Sequence, residues 1–471
     1  MLLFSIVEIL RKPLCGWIGY CFMKKYFSWL ALVGLLSLGI GGFAQTGDST
    51  HSSNWSYHFQ LTVISQDHGR FHAAYSGNNS LADSADAAAT TVTSTLFFGR
   101  KLWKNAAVYF DPEISGGRGL SGAVGVAGAL NGESYRIGNP DPAVSVARAF
   151  VQQTFALSDA GNKKVEDAPN QIQEELPVSR IVLTAGKFSM SDFYDDNACS
   201  HDPRTQFLNW SLMSNGAWDY PANTRGYTFG VVAELIKPSW AIRISSVAVP
   251  RIANSSGMQY RLPGAHSETL EMEKTVAMNQ RAGTIRLLVS NTFSKAPSYV
   301  QGIKAIADHD VALLNVIAGK AENPGYGGRK LGLAMSADQQ ISKAISLFLR
   351  AGWNDGQFAT WAFTEIDRTG SMGVTVKGDQ WKRPRDIFGV AGVLNGISKI
   401  HRDFLADGGY GFIIGDGALK YGHEGILEAY YSACLASRLF LTGDYQFVNN
   451  PAYNKDRGPV SVFSLRVHLE F

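Results

Sequence analysis

Titratable side chains are concentrated in a short block in the middle of the chain. Five of them lie within ten positions: Asp195, Asp196, His201, Asp202 and Arg204. Carboxylates beside a histidine are the groups that a metal site or an acid–base pair requires. However, Pro203 and the neighbouring Asp and Asn residues are equally typical of a tight turn. The block by itself therefore fits either a reactive site or a turn.

No other pattern in the chain predicts catalysis. The motifs HExxH, GxSxG and GxxxxGK[ST] are absent from the sequence. Ser464 and His468 share one face of a predicted strand, but four positions along a strand span roughly 13 Å, which is too far for a hydrogen bond. We therefore predict a protein that is not an enzyme and that has no cofactor and no metal site.

The last eleven residues, SVFSLRVHLEF, carry the clearest structural signal. Apolar side chains alternate with polar ones, so that a strand over this segment has two different faces. The apolar face comprises Phe463, Leu465, Val467, Leu469 and Phe471, and the polar face comprises Ser464, Arg466, His468 and Glu470. In an outer-membrane barrel the first row meets lipid and the second meets a wet lumen. Phe471 resembles the terminal aromatic residue that the barrel-assembly machinery reads.

A basic, then apolar, segment precedes the predicted barrel. Lys24 and Lys25 come before an apolar run that ends in Gly42, Phe43 and Ala44, a pattern typical of signal-peptidase cleavage. We predict a signal peptide over 1–44, with Met23 as the true start, and a barrel domain over 45–471. The rival interpretation is a retained membrane anchor. Export and cleavage near Ala44 predict the outer membrane of a Gram-negative bacterium.

Composition agrees with a membrane barrel better than with a soluble enzyme. Charged residues make up 18% of the chain, against about 25% in ordinary globular domains. After removal of 1–44 the basic and acidic residues are equal in number, which argues against nucleic acid as a partner. Cys199 and Cys434 are the two cysteines that remain; we expect both to be reduced, and the alternative is one disulfide formed in an oxidising periplasm.

Many other segments repeat the two-residue alternation. Charged side chains fall on the polar face of several of them, at Arg286, Arg350, Glu428 and Asp444. A sandwich buries that face in a dry core, whereas a barrel with an aqueous lumen accommodates charge. We predict an all-β fold, a transmembrane antiparallel β-barrel of sixteen strands, with eighteen as the alternative. Its lumen is expected to be water-filled, with inward-folded loops. Segments 80–91 and 159–175 lack alternation and are predicted as loops outside or within the mouth.

Longer blocks resemble one family. The segments GKFSMSDFYDDNACSHDPRTQFLNWSLMSNGAWDYPANTRGYTFG, from Gly186, and NNPAYNKDRGPVSVFSLRVHLEF, from Asn449, are similar to signatures of the carbohydrate-selective OprB porins. The resemblance covers most of the chain and is strongest from Val178 onward. It implies a sixteen-stranded outer-membrane barrel that passes monosaccharides and related small sugars by diffusion. It also favours an inward-folded loop or a turn, rather than a reactive site, for the block around His201.

A sugar pore needs wall groups that replace the hydration of the solute. Carboxylates and guanidinium groups supply hydrogen bonds, and aromatic rings stack on a pyranose. The pore-lining candidates are Asp111, Glu113, Arg148, Gln152, Arg204, Trp210, Arg350, Glu365, Asp367, Glu428 and Arg438, of which all but Arg204 and Trp210 are predicted on strands. The alternative for each charged residue is a solvated lumen charge that contacts no sugar. Trp210, with Trp218 and Tyr220, could equally belong to an interfacial girdle.

Other functions remain open at this point. A general diffusion porin or a polysaccharide exporter would share the fold, with stronger lumen charge of one sign. An outer-membrane lipid hydrolase would have a filled lumen and a triad at the rim, and an adhesive barrel would be plugged. The expected partners are small neutral sugars, outer-membrane lipid and lipopolysaccharide, the assembly machinery, and a second copy of the chain.

Overall fold

Sixteen antiparallel strands close into one barrel. The structure is a computed structural model that describes residues 54–85, 88–134, 141–158 and 161–471, so the predicted signal peptide lies outside the described residues. Each barrel strand pairs with the next in the chain, and β20 pairs with β1, so no edge is left open. The barrel strands are β1 (Trp55–His68), β2 (Ala89–Trp103), β3 (Ala106–Gly117), β4 (Ala143–Ala156), β7 (Arg180–Phe188), β8 (Thr228–Lys237), β9 (Trp240–Val247), β12 (His266–Met278), β13 (Arg281–Ser294), β14 (Gly328–Gln340), β15 (Ile345–Asn354), β16 (Arg368–Gly378), β17 (Arg383–Gly396), β18 (Glu424–Ala436), β19 (Leu439–Asn449) and β20 (Val460–Glu470).

The connections contain the remaining elements. Among the residues that the structure describes, two short hairpins and four short α-helices lie between barrel strands. They are β5 (Asn162–Val165), β6 (Glu174–Pro177), β10 (Val249–Pro250), β11 (Met258–Gln259), α1 (Trp210–Met213), α2 (Tyr299–Ala307), α3 (Val311–Ile317) and α4 (Lys399–Ala406). Within the described part of the chain, no helix is both long and apolar enough to cross a membrane.

Alternation along the strands gives the barrel an apolar outside and a polar inside, as predicted. On β13, Leu287 is 54% exposed on the outer face while Arg286 is 6% exposed. On β20, Phe463 and Leu465 point outward while Arg466 is buried. In a membrane the outer row meets hydrocarbon, and the inner charges avoid it. The predicted all-β, sixteen-stranded barrel is therefore confirmed.

The two ends of the barrel differ in their connections. At the end where β1 begins and β20 ends, six of the seven connections have two to four residues, and we call this the short-turn end. Connections at the opposite end, the long-loop end, are much longer. Trp55, Trp103 and Trp381 lie at or beside strand ends on the short-turn side and are exposed. Such aromatic residues are typical of a membrane interface.

The long loops fold inward and build an apolar core inside the barrel. Trp210, Trp218 and Phe363 belong to this core and are almost completely buried. Folding the loops inward buries their backbone N–H and C=O groups, which then need partners. The lumen is therefore narrowed by packed loops, and open space remains as the cavity described below. The two cysteines, Cys199 and Cys434, are free.

Candidate solute site in the barrel lumen

A cavity of about 660 Å³ lies inside the barrel. Its wall includes side chains of β4, β8 and β9, and residues of the loop 189–227 form another part of its lining. Glu470, Glu234 and Arg243 also line it, and each lies within a few residues of a strand end on the short-turn side. The cavity therefore occupies the part of the lumen nearer that end.

Arg148 is the central charged group of this cavity. Its guanidinium donates to both carboxylate oxygens of Asp192, from Nε to Oδ2 at 2.7 Å and from Nη2 to Oδ1 at 2.5 Å. Its Nη1 lies 3.6 Å from Oδ2 of Asp111. Gln152 lines the cavity from the same strand. A two-pronged pair of this kind holds the guanidinium plane in one orientation.

Glu113 and Arg204 form a second ion pair. Nη2 of Arg204 lies 3.2 Å from Oε2 of Glu113, and its Nε lies 3.2 Å from Oε2 of Glu133. Tyr227 and Thr95 also donate hydrogen bonds to Glu113. The two-residue alternation of β8 would place Tyr227 on the lipid face, but Tyr227 precedes β8 and is fully buried. The pair ties the loop 189–227 to the strand β3.

A third set of charges lines the wall from β8 to β14. Arg243 contacts Glu234 at 2.9 Å and Glu271 at 3.1 Å. Arg286 continues the row by contacting Glu273 and Asp338 at 3.0 and 2.7 Å. Each positive group thus has acidic neighbours, as expected for charges that face a narrow lumen. Along this wall, two arginines contact four carboxylates, so acidic groups outnumber basic ones.

Aromatic rings border the same cavity. Phe97, Phe150 and Phe193 contribute to its lining. Of the three aromatic residues predicted near the block, only Tyr220 reaches the cavity. Trp210 packs instead against Tyr220 and Phe363, with ring centroids 5.9 and 4.7 Å apart. Trp210 is thus part of the buried loop core and belongs neither to the cavity lining nor to an interfacial girdle.

Arg350 and Glu428 lie on barrel strands and point inward, but loops cover both. Nε of Arg350 donates to Asp195, and its other nitrogens donate to the carbonyl oxygens of Leu212 and Ser200. Glu428 accepts hydrogen bonds from the backbone N–H groups of the loop residues that precede α1. Neither residue is among those that line the cavity. Both satisfy loop backbone or side-chain groups that would otherwise be buried without partners.

The prediction that Glu365, Asp367 and Arg438 lie on strands is wrong. Glu365 and Asp367 lie in the loop before β16, where periodic alternation stops, and Arg438 lies in the exposed turn before β19. Glu365 accepts from the backbone N–H groups of Ile413 and Ile414. Burial raises the pKa of the Glu365 carboxyl above its ordinary value, although these bonds and His401 act in the opposite direction.

The block around His201 forms a turn inside the lumen. His201 and Asp202 line the cavity, and Asp202 accepts the backbone N–H of Arg204. Asp195 forms an ion pair with Arg350 instead and is not among the residues that line the cavity. Within the described ranges, no group of three or more His, Cys, Asp or Glu side chains is arranged to hold a metal ion. The turn therefore places the side chains of His201 and Asp202 in the lining of the cavity.

Several lining residues were not predicted from the sequence. Asp192 lies in the loop 189–227 beside the titratable block, and its Arg148 partner is distant in sequence. Arg243 lies on β9 but was not among the pore-lining candidates. Asn170 comes from a segment that lacks strand alternation. Alternation identifies inward side chains on strands, but it carries no information about which loop residues enter a lumen.

Sequence comparison decides the family. The family model of the carbohydrate-selective porin, OprB family, matches residues 49–471. The chain belongs to the OprB family. No curated protein matched the chain by sequence.

Solved structures of outer-membrane channels have the same fold. The OprB family member of Pseudomonas putida, in its high-pH structure, is similar with a TM-score of 0.65 and 15% identity, covering 90% of this chain and 100% of that one. The outer-membrane channel DcaP of Acinetobacter baumannii is similar with a TM-score of 0.48 and 11% identity, covering 90% and 99%. Because the family is one of porins and the chain forms a closed β-barrel, this OprB-family chain is an outer-membrane β-barrel porin.

Proposed function

We propose that this porin passes monosaccharides and similar small neutral sugars by passive diffusion across the outer membrane. The observation that carries the proposal is the 660 Å³ lumen cavity, in which the Arg148–Asp192 pair and aromatic rings share one lining. Its volume lies within the roughly 300–1,000 Å³ range of small-molecule sites. Membership of a carbohydrate-selective family supports the same substrate class.

The chemistry of the lining suits a neutral, hydroxyl-rich solute. A sugar that enters a narrow lumen loses water, and its hydroxyl groups then need donors and acceptors at several angles. Arg148 and Arg243 supply donors, and Asp192 and Glu234 supply acceptors. The rings of Phe150 and Phe193 offer apolar faces for the C–H side of a pyranose.

Liposome swelling tests this function directly. The purified protein is reconstituted, and swelling rates are compared for glucose, a disaccharide and an amino acid of similar size to glucose. We expect the fastest swelling with glucose. Gln152→Ala, which removes one amide from the lining, should slow glucose entry, whereas Lys399→Gln on the exposed surface of α4 should not. Equal rates for all solutes would indicate a general diffusion porin.

Absence of swelling from a folded barrel would contradict the channel function and would require assays for hydrolysis of lipids. We propose that the protein has no such activity, because its lining offers paired and hydrogen-bonded charges rather than an activated nucleophile.

Processing and partners form a separate part of the proposal. Residues 1–44 are proposed to direct export and to be cleaved near Ala44, on the pattern of Lys24, Lys25 and the apolar run. The assembly machinery is proposed to bind the terminal strand through Phe471, and lipopolysaccharide to surround the barrel. The chain is also proposed to self-associate, and cross-linking in native membranes tests this. Amino-terminal sequencing of the purified protein tests the cleavage site.

A further inference from the structure

One connection at the short-turn end is unlike its neighbours. Residues 157–179, which we call the inserted turn, join β4 to β7, whereas the other connections at that end have two to four residues. The inserted turn contains its own hairpin of β5 and β6, in which Asn162 pairs with Pro177 at one end and Val165 with Glu174 at the other. Residues 166–173 form the tip of this hairpin. A tight turn would be enough to connect the two strands, so the additional residues are not needed to close the barrel.

The tip packs back into the barrel. Ile172 is 1% exposed and belongs to the apolar core inside the barrel. Its place on the wall depends on Gly99 of β2. A Cβ atom at that position would lie 3.1 Å from Cγ1 of Ile172 and 3.0 Å from Cε1 of Tyr109. Glycine therefore leaves the space into which the side chain of Ile172 fits.

Polar contacts fasten the tip on both sides of Ile172. Nδ2 of Asn170 donates to Oδ2 of Asp111 at 3.0 Å. Nζ of Lys101 donates to the carbonyl oxygen of Gln173 at 3.0 Å, and Nε2 of His58 lies 3.3 Å from Asp167. These partners lie on β1, β2 and β3. The tip is thus bound to three neighbouring strands by packing and by hydrogen bonds.

The end of the tip is a stable turn that faces the solute cavity. Ala168 and Gln171 exchange two backbone hydrogen bonds, at 3.0 and 2.9 Å. Pro169 occupies the first central position and Asn170, with a φ of 57°, the second, as in a type II turn. All four of these residues line the cavity that contains Arg148 and Asp192. Asp111 connects this turn to the Arg148–Asp192 pair, because it accepts a hydrogen bond from Asn170 and lies beside Arg148.

We propose that the tip of the inserted turn is the selectivity element at the inner exit of the pore. Short turns of outer-membrane barrels face the periplasm, so the inserted turn enters the lumen from the side where solute leaves. The exposed side chain of Gln171 then presents its amide oxygen to the departing solute, while the amide of Asn170 binds Asp111. The tip also narrows the exit and fixes Asp111 beside Arg148. This inference rests on the proposed channel function.

Deletion of residues 161–177 tests the proposal. The ends of the excised segment are neighbours, because Asn162 pairs with Pro177 and Val178 donates to the carbonyl oxygen of Gly161, so β4 and β7 remain connectable. We expect single-channel conductance in KCl to rise about twofold, since the exit becomes wider. The ratio of disaccharide to glucose swelling rates should rise as well. Unchanged conductance and an unchanged ratio, in a variant that keeps its heat-modifiable mobility on gels, would overturn the proposal.

A substituted cysteine provides the second test and does not require the deletion to fold. Gln171→Cys is placed in a Cys434→Ser background, where the native Cys199 is buried. A small charged thiol reagent added on the short-turn side should then reduce the current through the pore at least about twofold. Lys164→Cys in the same background is the matched control, because Lys164 is exposed on the same hairpin and is not in the cavity lining. Labelling of Gln171→Cys without loss of current would contradict the proposal.

Ion conductance separates this inference from the sugar function. If the wild-type protein conducts ions but does not admit glucose, the proposed substrate is wrong, and both variants still report whether the tip controls the exit. If the wild-type protein admits glucose and neither variant changes the current or the solute ratio, the function stands and the role of the tip is wrong.

Discussion

Arg350 on β15 binds Asp195 through a hydrogen bond of 2.8 Å from Nε to Oδ1, and both side chains are almost completely buried. The same guanidinium donates to the carbonyl oxygen of Leu212 at 2.7 Å. One side chain of the wall thereby satisfies two separate parts of the loop 189–227. The loop that carries Asp192 to Arg148 is held in place by a residue outside the cavity.

Replacement of Arg350 should loosen the loop 189–227. Arg350→Met leaves Asp195 and several carbonyl groups buried without their partner, and loss of one member of a buried pair costs about 3–5 kcal/mol. We expect a decrease of that size in the free energy of unfolding, measured by urea titration in lipid vesicles, together with noisier single-channel current. Lys399→Gln, which removes an exposed ion pair on α4, should change stability by less than about 1 kcal/mol. Equal effects of the two variants would contradict the anchoring role.

The charge of Arg148 should influence which ions enter the lumen. Arg148→Gln leaves Asp111 and Asp192 without their cation, so the cavity becomes more negative. We expect the permeability ratio of K⁺ to Cl⁻ to rise about twofold or more, measured from the reversal potential in a KCl gradient. Arg100→Gln is the matched control, because the Arg100 side chain lies over the ring of Trp55 and does not line the cavity. A similar shift in both variants would argue for a surface-charge effect.

The position of an introduced charge along the outer face of the barrel should determine how far it lowers the free energy of unfolding. Leu287, near the middle of β13, faces outward and is 54% exposed. A positive charge at the midplane of a bilayer destabilises a barrel by about 2–4 kcal/mol, against roughly 0–1 near an interface. We expect Leu287→Arg to approach the larger value and Met278→Arg, at the end of β12, the smaller one. Folding titrations in vesicles compare the two, and equal costs would contradict the assignment of a lipid-facing band.

Contacts at the long-loop end should depend on pH. Asp416 accepts from Ser80 and from Nδ2 of Asn454, so it joins three loops. Burial raises the pKa of the Asp416 carboxyl, and the neighbouring groups, including Arg457, lower it only in part. The carboxyl group of Asp416 therefore binds its proton more tightly in the docked loops than in free loops. Docking is favoured below the ordinary aspartate pKa, and this contribution is lost as the pH rises through the raised value.

Hydrogen exchange provides the measurement for this dependence. After correction for intrinsic rates, the amides of Gly77 and Ser80 should be better protected at pH 4 than at pH 7. Asp416→Asn, which resembles the neutral acid, should remove most of the difference, whereas Asp407→Asn at an exposed site of the same loop should not. Persistence of the full pH dependence in Asp416→Asn would exclude this carboxyl as its source.

The strands could be predicted from the sequence because their environment repeats every two residues. Arg286 and Leu287 face opposite sides of the wall because successive side chains of a strand point to opposite faces. Inward charges such as Arg148 and Glu113 were accessible to the same argument. The number of strands followed from the family resemblance and from the length of chain that each strand needs.

The arrangement of the loops was not predictable in the same way. Trp210 is buried by Phe363, and Glu365 binds the backbone near Ile413, so each position depends on a contact far away in sequence. Loops have no fixed period that would assign a side chain to one face. The segment around Ile172 looked like a polar connection, because its one deeply buried apolar side chain produces no pattern.

The partners of the loop 189–227 have a consequence for the order of folding. Arg350, Glu428 and Arg466 all hold this loop, yet they lie on β15, β18 and β20, late in the chain. Contacts between residues so far apart form slowly, because the intervening chain must first be ordered. The loop cannot reach its final position until the last strands have joined the wall. Maturation of the pore interior is therefore expected to follow closure of the cylinder as a separate kinetic phase.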